Sequence, residues 1–223
     1  MTHTTNSRIA GFTFLLYIAA GILSLVLFSQ ATAGQEIAVK LATIAQHALQ
    51  LRLTIILGLL QTVCAIVLAV TLYAITRDQD SELAMLALTF RLGEGLFNAL
   101  STRDTLDLLW LGASSGPKAP DPVTLRAFGA YLLNGPDWIM SAIVFAMGST
   151  LFSYLFLRGR TIPVPLAWVG LVASVILVVG LPLQLAGLFR GPLASYMWMP
   201  MVAFEAPLAF WLLIKGVGTP AIR

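Results

Sequence analysis

Residues 88–100 read LTFRLGEGLFNAL and place an arginine and a glutamate inside an otherwise apolar helical pattern. A charged side chain at the centre of a bilayer costs about 2.5–3.5 kcal/mol on insertion scales, so it must face protein or water rather than lipid. Polar residues recur every three or four positions from this point, on one face of a helix: Arg91, Glu94, Asn98, Ser101 and Thr105. This polar face predicts that the segment lies inside a bundle of helices.

The composition of the whole chain agrees with a membrane location. Hydrophobic residues make up 58% of the 223 positions and charged residues 10%, whereas soluble domains have roughly half and a quarter. Several apolar runs reach the ~20 residues that a helix needs to cross a ~30 Å hydrocarbon core. The ~10-residue alternating segments of an outer-membrane barrel are absent. We therefore predict an all-α, polytopic membrane helix bundle surrounded by the lipid bilayer.

The scarce reactive residues exclude several classes of function. Cys64 is the only cysteine and lies in an apolar run, which excludes disulfides and cysteine-rich zinc sites. His3 and His47 are the only histidines, so a haem held by two histidines within the bundle is excluded. The net charge of +3 comes with no basic cluster that would bind nucleic acid. No nucleophile–base pair is present either, and the sequence predicts no catalytic residue, metal ion or cofactor. Acid–base chemistry by two carboxylates beside an arginine stays open as an alternative.

The apolar runs predict six spans in a single domain: residues 9–28, 53–76, 83–112, 137–157, 164–188 and 193–214. A signal peptide is the alternative for the first run, because Ala31-Thr32-Ala33 has the A-x-A form of a cleavage site. That run has ~20 apolar residues, against the 7–15 of a signal peptide, which favours a span.

Residues 35–50, QEIAVKLATIAQHALQ, follow the first span and have apolar and polar side chains on opposite helical faces. This pattern predicts a short amphipathic helix that lies on the membrane surface. A helix packed on the extramembrane ends of the bundle fits the pattern equally well. His47 falls on the polar face in both cases and is expected to be solvated rather than a ligand.

The distribution of basic residues predicts the orientation. With the N-terminus inside, the cytoplasmic set is Arg8, Arg77, Arg158, Arg160, Lys215 and Arg223. The outer set is of equal size: Lys40, Arg52, Arg103, Lys118, Arg126 and Arg190. The first set lies in very short loops beside the span ends, where the positive-inside rule applies best. We therefore expect both termini to be cytoplasmic.

A second acidic residue is expected at the depth of Arg91. Counted along the helices, Arg91 lies roughly 13 Å and Glu94 roughly 18 Å from one face, and Glu205 roughly 15 Å from the same face. Arg91 is then expected to pair with Glu205, while Glu94 takes a remaining donor or keeps a proton. Two prolines, Pro200 and Pro207, should kink the last helix and free backbone carbonyls beside Glu205.

The polar face of the third span also predicts a pocket. An ion pair that only holds two helices together needs charged residues at one depth in the membrane. The polar side chains of this span continue for several turns towards the outer surface. An outward-facing pocket with Arg91, Glu94 and Glu205 at its base explains the whole series. Two further residues are candidates for its lining: Gln61 and Gln184.

Four segments occur together in an order that is similar to a known family: RIAGFTFLLYIAAGIL (8–23), FRLGE (90–94), GSTLFSYLFLRGRTIP (148–163) and FEAPLAFWLLIKGV (204–217). The chain resembles, over nearly its whole length, the bacterial membrane proteins grouped as domain of unknown function 4386. The resemblance implies a multi-pass protein of the bacterial inner membrane. Residues that match the family pattern are Arg91, Glu205, Trp211 and Lys215. No activity is established for that family, so the resemblance implies no reaction.

Two functional hypotheses follow. The mid-membrane cluster either binds or passes a small solute, a lipid headgroup or a proton, or it only holds helices together. In the second case the protein is a non-catalytic structural or regulatory subunit of a membrane complex, with another membrane protein as its partner.

Overall fold

The computed structural model describes residues 2–114, 120–135, 137–189, 191, 194 and 196–218. These residues form helices and no strand. The helices are α1 (His3–Ala31), α2 (Ile37–Gln46), α3 (Ala48–Thr76), α4 (Ser81–Ala113), α5 (Pro122–Asn134), α6 (Asp137–Gly159), α7 (Val164–Leu185) and α8 (Met199–Ile214). The predicted all-helical membrane bundle is confirmed.

Five stretches in the described residues are long and apolar enough to cross a membrane: α1, α3, α4, the stretch Pro122–Gly159 that holds α5 and α6, and α7. The sixth predicted span corresponds to α8, which has 16 residues and is about 24 Å long. That length is below the ~20 residues of a typical span. Six spans therefore remain a prediction.

Six helices close into a ring in the order in which they occur along the chain. The packed pairs are α1–α3, α3–α4, α4–α6, α6–α7, α7–α8 and α8–α1. Sequential neighbours of this kind follow from short connections between antiparallel helices. The last helix thus packs against the first, and α4 faces α1 and α8 across the centre of the ring.

Small residues allow two of these helix pairs to approach closely. A Cβ at Gly11 of α1 would lie 2.5 Å from the backbone nitrogen of Leu213 in α8. A Cβ at Gly170 of α7 would lie 2.5 Å from the ring of Phe204, also in α8. Close packing at small residues is the usual basis of helix association in membranes.

One end of the ring, here called the terminal end, is held by polar contacts of the connection between α3 and α4 with the ends of α1 and α6. His3 Nε2 lies 3.2 Å from Asp78 Oδ2, and Arg158 Nη1 lies 2.8 Å from Asp80 Oδ2. Asp80 is the N-cap of α4 and accepts a hydrogen bond from the Leu83 N–H at 3.1 Å. That hydrogen bond, helped by the Arg158 guanidinium, holds the pKa of Asp80 below its ordinary value.

The other end, here called the cap end, carries a small second core. α4 has 33 residues and is about 50 Å long, which exceeds a ~30 Å hydrocarbon core. α2 and α5 pack against it there. The buried side chains of this core are Ala31, Leu41, Ile44, Leu51, Leu108, Leu111 and Leu132.

This core bears on the two interpretations of residues 35–50. α2 buries Leu41 and Ile44 against the rest of the cap, so it packs on the end of the bundle. Its position relative to the membrane surface stays a prediction. His47 is exposed, as its polar face predicts.

Helix α5 was not predicted from the sequence. Its signal is Asp121, whose carboxylate accepts hydrogen bonds from the backbone of Val123 and Thr124 at 3.0 Å each. Pro122 follows it in the first helical turn, where a missing N–H does no harm. An aspartate followed by proline is thus a helix start here rather than part of a loop.

Candidate functional site

Arg91 and Glu94 form an ion pair at the centre of the ring. Arg91 Nη1 lies 2.9 Å from Glu94 Oε2, and both side chains are 1% exposed. The contact is short but poorly aligned, and no guanidinium nitrogen has a hydrogen-bond partner among the described residues. The guanidinium lies instead against two rings, 4.9 Å from the centroid of Phe145 and 5.9 Å from that of Phe14, where cation–π attraction stabilises it.

The room for Arg91 comes from a glycine on α6. A Cβ at Gly148 would lie 3.1 Å from Arg91 Cγ and 3.3 Å from the carbonyl oxygen of Ala87. The bare backbone of α6 therefore packs on the aliphatic stem of the arginine, while its charged end reaches the centre of the ring.

Glu94 connects three helices. The Tyr17 hydroxyl on α1 donates a hydrogen bond to Glu94 Oε1 at 2.7 Å. The Ser141 hydroxyl on α6 donates to the backbone carbonyl of Glu94 at 3.1 Å. Neither partner was predicted from the sequence. A tyrosine in the first apolar run was the available signal, because a buried phenol needs a hydrogen-bond partner.

The predicted pairing of Arg91 with Glu205 is wrong as the main contact. The ion pair of Arg91 is with Glu94, three residues further along the same helix. Side chains at this spacing are neighbours on one helical face, so the arginine reaches Glu94 without crossing to α8. Glu205 lies at the same level of the ring, but it has no hydrogen bond or ion pair in the described part of the chain, and Arg91 acts on it only at longer range.

The two prolines of α8 also differ in effect. Pro207 lies inside the helix, as expected. Pro200 lies in its first turn, where no helical hydrogen bond is lost. Only Pro207 therefore removes a helical partner, that of the Ala203 carbonyl one turn before it.

A cavity of about 220 Å³ lies on the cap side of the ion pair. We call it the cap-side cavity. Its lining is Tyr17, Glu94, Asn98, Ser101, Trp138, Ser141, Ala142, Phe145, Trp198 and Glu205. Carboxylates, hydroxyls and an amide therefore face the same space as four aromatic rings, one of which is the phenol of Tyr17. The Trp198 ring centroid lies 6.2 Å from those of both Trp138 and Phe145.

A second, much smaller space lies on the terminal side of the ion pair. This inner cavity has a volume of about 10 Å³, roughly enough for one water molecule. Arg91, Ser149, Ser153 and Glu205 contribute its polar lining. The Ser153 hydroxyl is buried and has no hydrogen-bond partner among the described residues. Glu205 borders both cavities.

The structure brings together some of the predicted cavity residues and not others. Glu94, Asn98, Ser101 and Glu205 line the cap-side cavity, and Arg91 lies directly beneath it. Three predicted residues lie outside both linings: Gln61, Thr105 and Gln184.

Two polar side chains near the cavity are engaged in packing between helices. Gln61 packs against Gly21 of α1, where a Cβ would lie 3.0 Å from its Nε2. The Asn98 amide donates to the Gly58 carbonyl on α3 at 3.1 Å, so this residue holds α4 to α3 as well as facing the cavity. Across the described ranges no three His, Cys, Asp or Glu side chains are grouped to hold a metal ion.

These features define a multi-pass membrane helix bundle with an ion pair and a cavity at its centre. Residues 9–216 match the protein family described as "Domain of unknown function (DUF4386)", and the chain belongs to that family. The resemblance carried by the four segments is thereby confirmed. No similar protein was found among curated proteins or among solved structures.

Proposed function

We propose that this protein binds a small polar solute in the cap-side cavity, within the membrane. The observation that carries this proposal is the convergence of Glu94, Glu205 and Tyr17 on one cavity from three different helices. Concave sites with a few convergent polar groups and aromatic walls are the usual form of small-ligand sites. Ionisable groups inside a membrane also usually mark a functional site, because placing a charge in the hydrocarbon core costs free energy.

The unpaired state of Glu205 favours binding over a purely structural role. A clamp between helices would require every buried charge to have a partner. Arg91 and Glu94 meet that requirement through each other, whereas Glu205 faces the cavity without a hydrogen bond or ion pair from the described residues, and Arg91 acts on it only at longer range. A solute, a lipid headgroup or a proton is the missing partner in this proposal.

The second candidate is a structural or regulatory subunit of a membrane complex. The contacts that favour it are those that hold helices together through polar groups. Tyr17 and Ser141 fix α1 and α6 to α4, and Asn98 fixes α4 to α3. In that case the cavity is closed to water and a partner membrane protein covers part of the apolar surface.

We also propose an orientation, with both termini on the cytoplasmic side of the bacterial inner membrane. In this orientation the terminal end faces the cytoplasm and the cap-side cavity opens outward. Arg8, Arg77, Arg158, Arg160 and Lys215 then stand at the cytoplasmic ends of their helices, as the positive-inside rule favours. Lys118, Arg190 and Arg223, the other basic residues near span ends, lie outside the described residues.

Accessibility of single cysteines tests the binding proposal. In a Cys64→Ala background, Asn98→Cys and Ser101→Cys should react with a membrane-impermeant thiol reagent added to the cap side of the protein in liposomes. Val123→Cys, at a position 76% exposed in the cap, is the positive control. Ser174→Cys, at a position fully buried in α7, is the negative control.

The two candidates give opposite results in this experiment. If Asn98→Cys and Ser101→Cys are as unreactive as Ser174→Cys while Val123→Cys is labelled, no aqueous path reaches the cavity. The structural candidate then replaces the binding proposal.

A further inference from the structure

We infer that the ligand of the cap-side cavity is a small organic cation, such as a substituted ammonium group. This inference rests on the proposed function and adds the chemical class of the solute. It starts from the charges at the centre of the ring, which are one arginine and two carboxylates. Arg91 is matched by Glu94 at 2.9 Å. The Glu205 carboxylate has no ion pair of its own among the described residues, because the Arg91 charge that acts on it already contacts Glu94.

A cation is the ligand that removes this imbalance. An ionised carboxylate away from bulk water requires a positive partner or a proton. Glu205 lines the cap-side cavity, so a cation in that cavity reaches the carboxylate directly. An anionic ligand would meet two carboxylates, and Arg91 is available only from beneath, where it already contacts Glu94.

The aromatic walls specify an organic cation rather than a bare metal ion. The faces of tryptophan rings attract ammonium groups, and aromatic cages of this kind recognise quaternary ammonium ligands. Trp138 and Trp198 both line the cavity and lie 6.2 Å apart between ring centroids. Phe145 already stacks on the Arg91 guanidinium from its own side of the cavity. Trp198 also stacks on Phe145, with 27° between the ring planes, so Trp138, which is 46% exposed, offers the more open ring to a ligand.

The size of the cavity restricts the ligand further. Its volume of about 220 Å³ is below the ~300–1,000 Å³ of sites for drug-sized ligands. A single ammonium group with a few carbon substituents fits this space. Such a group occurs both in free amines and in the ethanolamine or choline headgroup of a lipid, and the two sources share this chemistry.

The test compares a cation with its neutral isostere. The full-length protein in phosphatidylglycerol nanodiscs is titrated with choline and, separately, with 3,3-dimethyl-1-butanol, which replaces the nitrogen by carbon. Binding is followed by calorimetry and by tryptophan fluorescence. We expect choline to bind at least about tenfold more tightly, since cation–π and carboxylate contacts act on the charged ligand alone.

Two variants locate the site. Glu205→Gln removes the charge, and Trp138→Leu removes one aromatic face at a position 46% exposed, where the fold tolerates the change. Each should weaken choline binding by about tenfold or more. Glu82→Gln, an exposed acid at the start of α4, should leave choline binding unchanged.

The outcomes separate this inference from the proposed function. Equal binding of choline and its isostere would overturn the cation while leaving a solute site in place. An absence of binding by choline, ethylamine and guanidinium alike would also overturn the cation, and the cysteine labelling then decides whether any solute enters. Repeating the choline titration in phosphatidylethanolamine nanodiscs identifies the source of the ammonium group. If the site takes a lipid headgroup, phosphatidylethanolamine competes and choline binds more weakly. If the site takes a free amine, choline binds equally well in both lipids.

Discussion

Arg91 is the residue on which the centre of the ring depends. Its side chain is 1% exposed, its stem lies on the backbone at Gly148, and its charge faces Glu94 and two aromatic rings. An arginine in this position pairs with Glu94 and leaves Glu205 without an ion pair among the described residues. The same residue therefore both stabilises the fold and sets the charge of the cavity.

Removal of the Arg91 charge should strongly destabilise the protein. Arg91→Met keeps an unbranched side chain against Gly148 but leaves Glu94 buried without its counter-charge. We expect the free energy of unfolding to fall by about 3–5 kcal/mol, as for other buried pairs that lose one partner. Denaturant unfolding in detergent micelles measures this.

Two further variants make the result interpretable. Arg103 is 85% exposed, and its ion pair with Asp107 is long, at 4.0 Å. Arg103→Met should therefore change the free energy of unfolding by less than about 1 kcal/mol. Arg91→Met combined with Glu94→Gln removes both charges and should recover part of the loss. If the double variant is no more stable than Arg91→Met alone, the ion pair is not the source of the stability.

At the scale of the elements, the contact between α1 and α8 closes the ring. Gly11 permits it, because a Cβ there would lie 2.5 Å from the Leu213 nitrogen and 2.6 Å from the Ala209 carbonyl oxygen. Gly11→Ala should therefore separate the two helices, with a loss of about 1–3 kcal/mol from overpacking. Gly93→Ala is the matched control, since a Cβ at Gly93 has its nearest neighbour at 4.0 Å.

The comparison between these two glycines isolates the packing effect. Both substitutions raise helix propensity by up to about 1 kcal/mol, so the difference between them reports the α1–α8 contact. Thermal unfolding of both variants in the same lipid measures it. Equal stability of Gly11→Ala and Gly93→Ala would show that α1 and α8 are not in close contact.

The long apolar helices were predictable from the sequence, because the length of an apolar run decides whether it spans the membrane. The short helix α5 and the bounds of α8 were not. The first three spans lie within α1, α3 and α4 because a long apolar run has no other stable state in a membrane. Helix α5 was missed because its short sequence mixes polar and apolar residues, and its N-cap resembles a loop. The bounds of the last span were not predictable from length, since α8 has only 16 residues.

The depth of the site residues along their helices was predictable from the sequence, but the rotation of each helix about its own axis was not. Counting residues along helices placed Arg91, Glu94 and Glu205 in one layer, and all three border the central cavities. The angle of each helix about its own axis decides which pair meets, and that angle depends on the packing of the whole ring. Tyr17 was missed for the same reason, because its partner lies 77 residues away in the sequence.

At the scale of the whole molecule, the ring has two distinct ends and therefore a definite orientation to test. A reporter that is active only in the periplasm, fused after Arg223, should be inactive if the terminal end is cytoplasmic. The same reporter inserted between α4 and α5 should be active, because that connection lies at the cap end. The reverse pattern would show that the cavity opens to the cytoplasm.

The closure of the ring by its first and last helices has a consequence for biosynthesis. Gly11 and its partner Leu213 are separated by roughly 200 residues, which a ribosome takes on the order of 10–40 s to add at about 5–20 residues per second. Until α8 is in place, the face of α1 that carries Gly11 lacks the Leu213 and Ala209 backbone on which it packs in the closed ring. A chain that stalls before α8 presents this small-residue face to any neighbouring helix. The contact between α1 and α8 therefore forms later than the contact between α1 and α3, and Gly11 has its packing partner only in chains in which α8 is present.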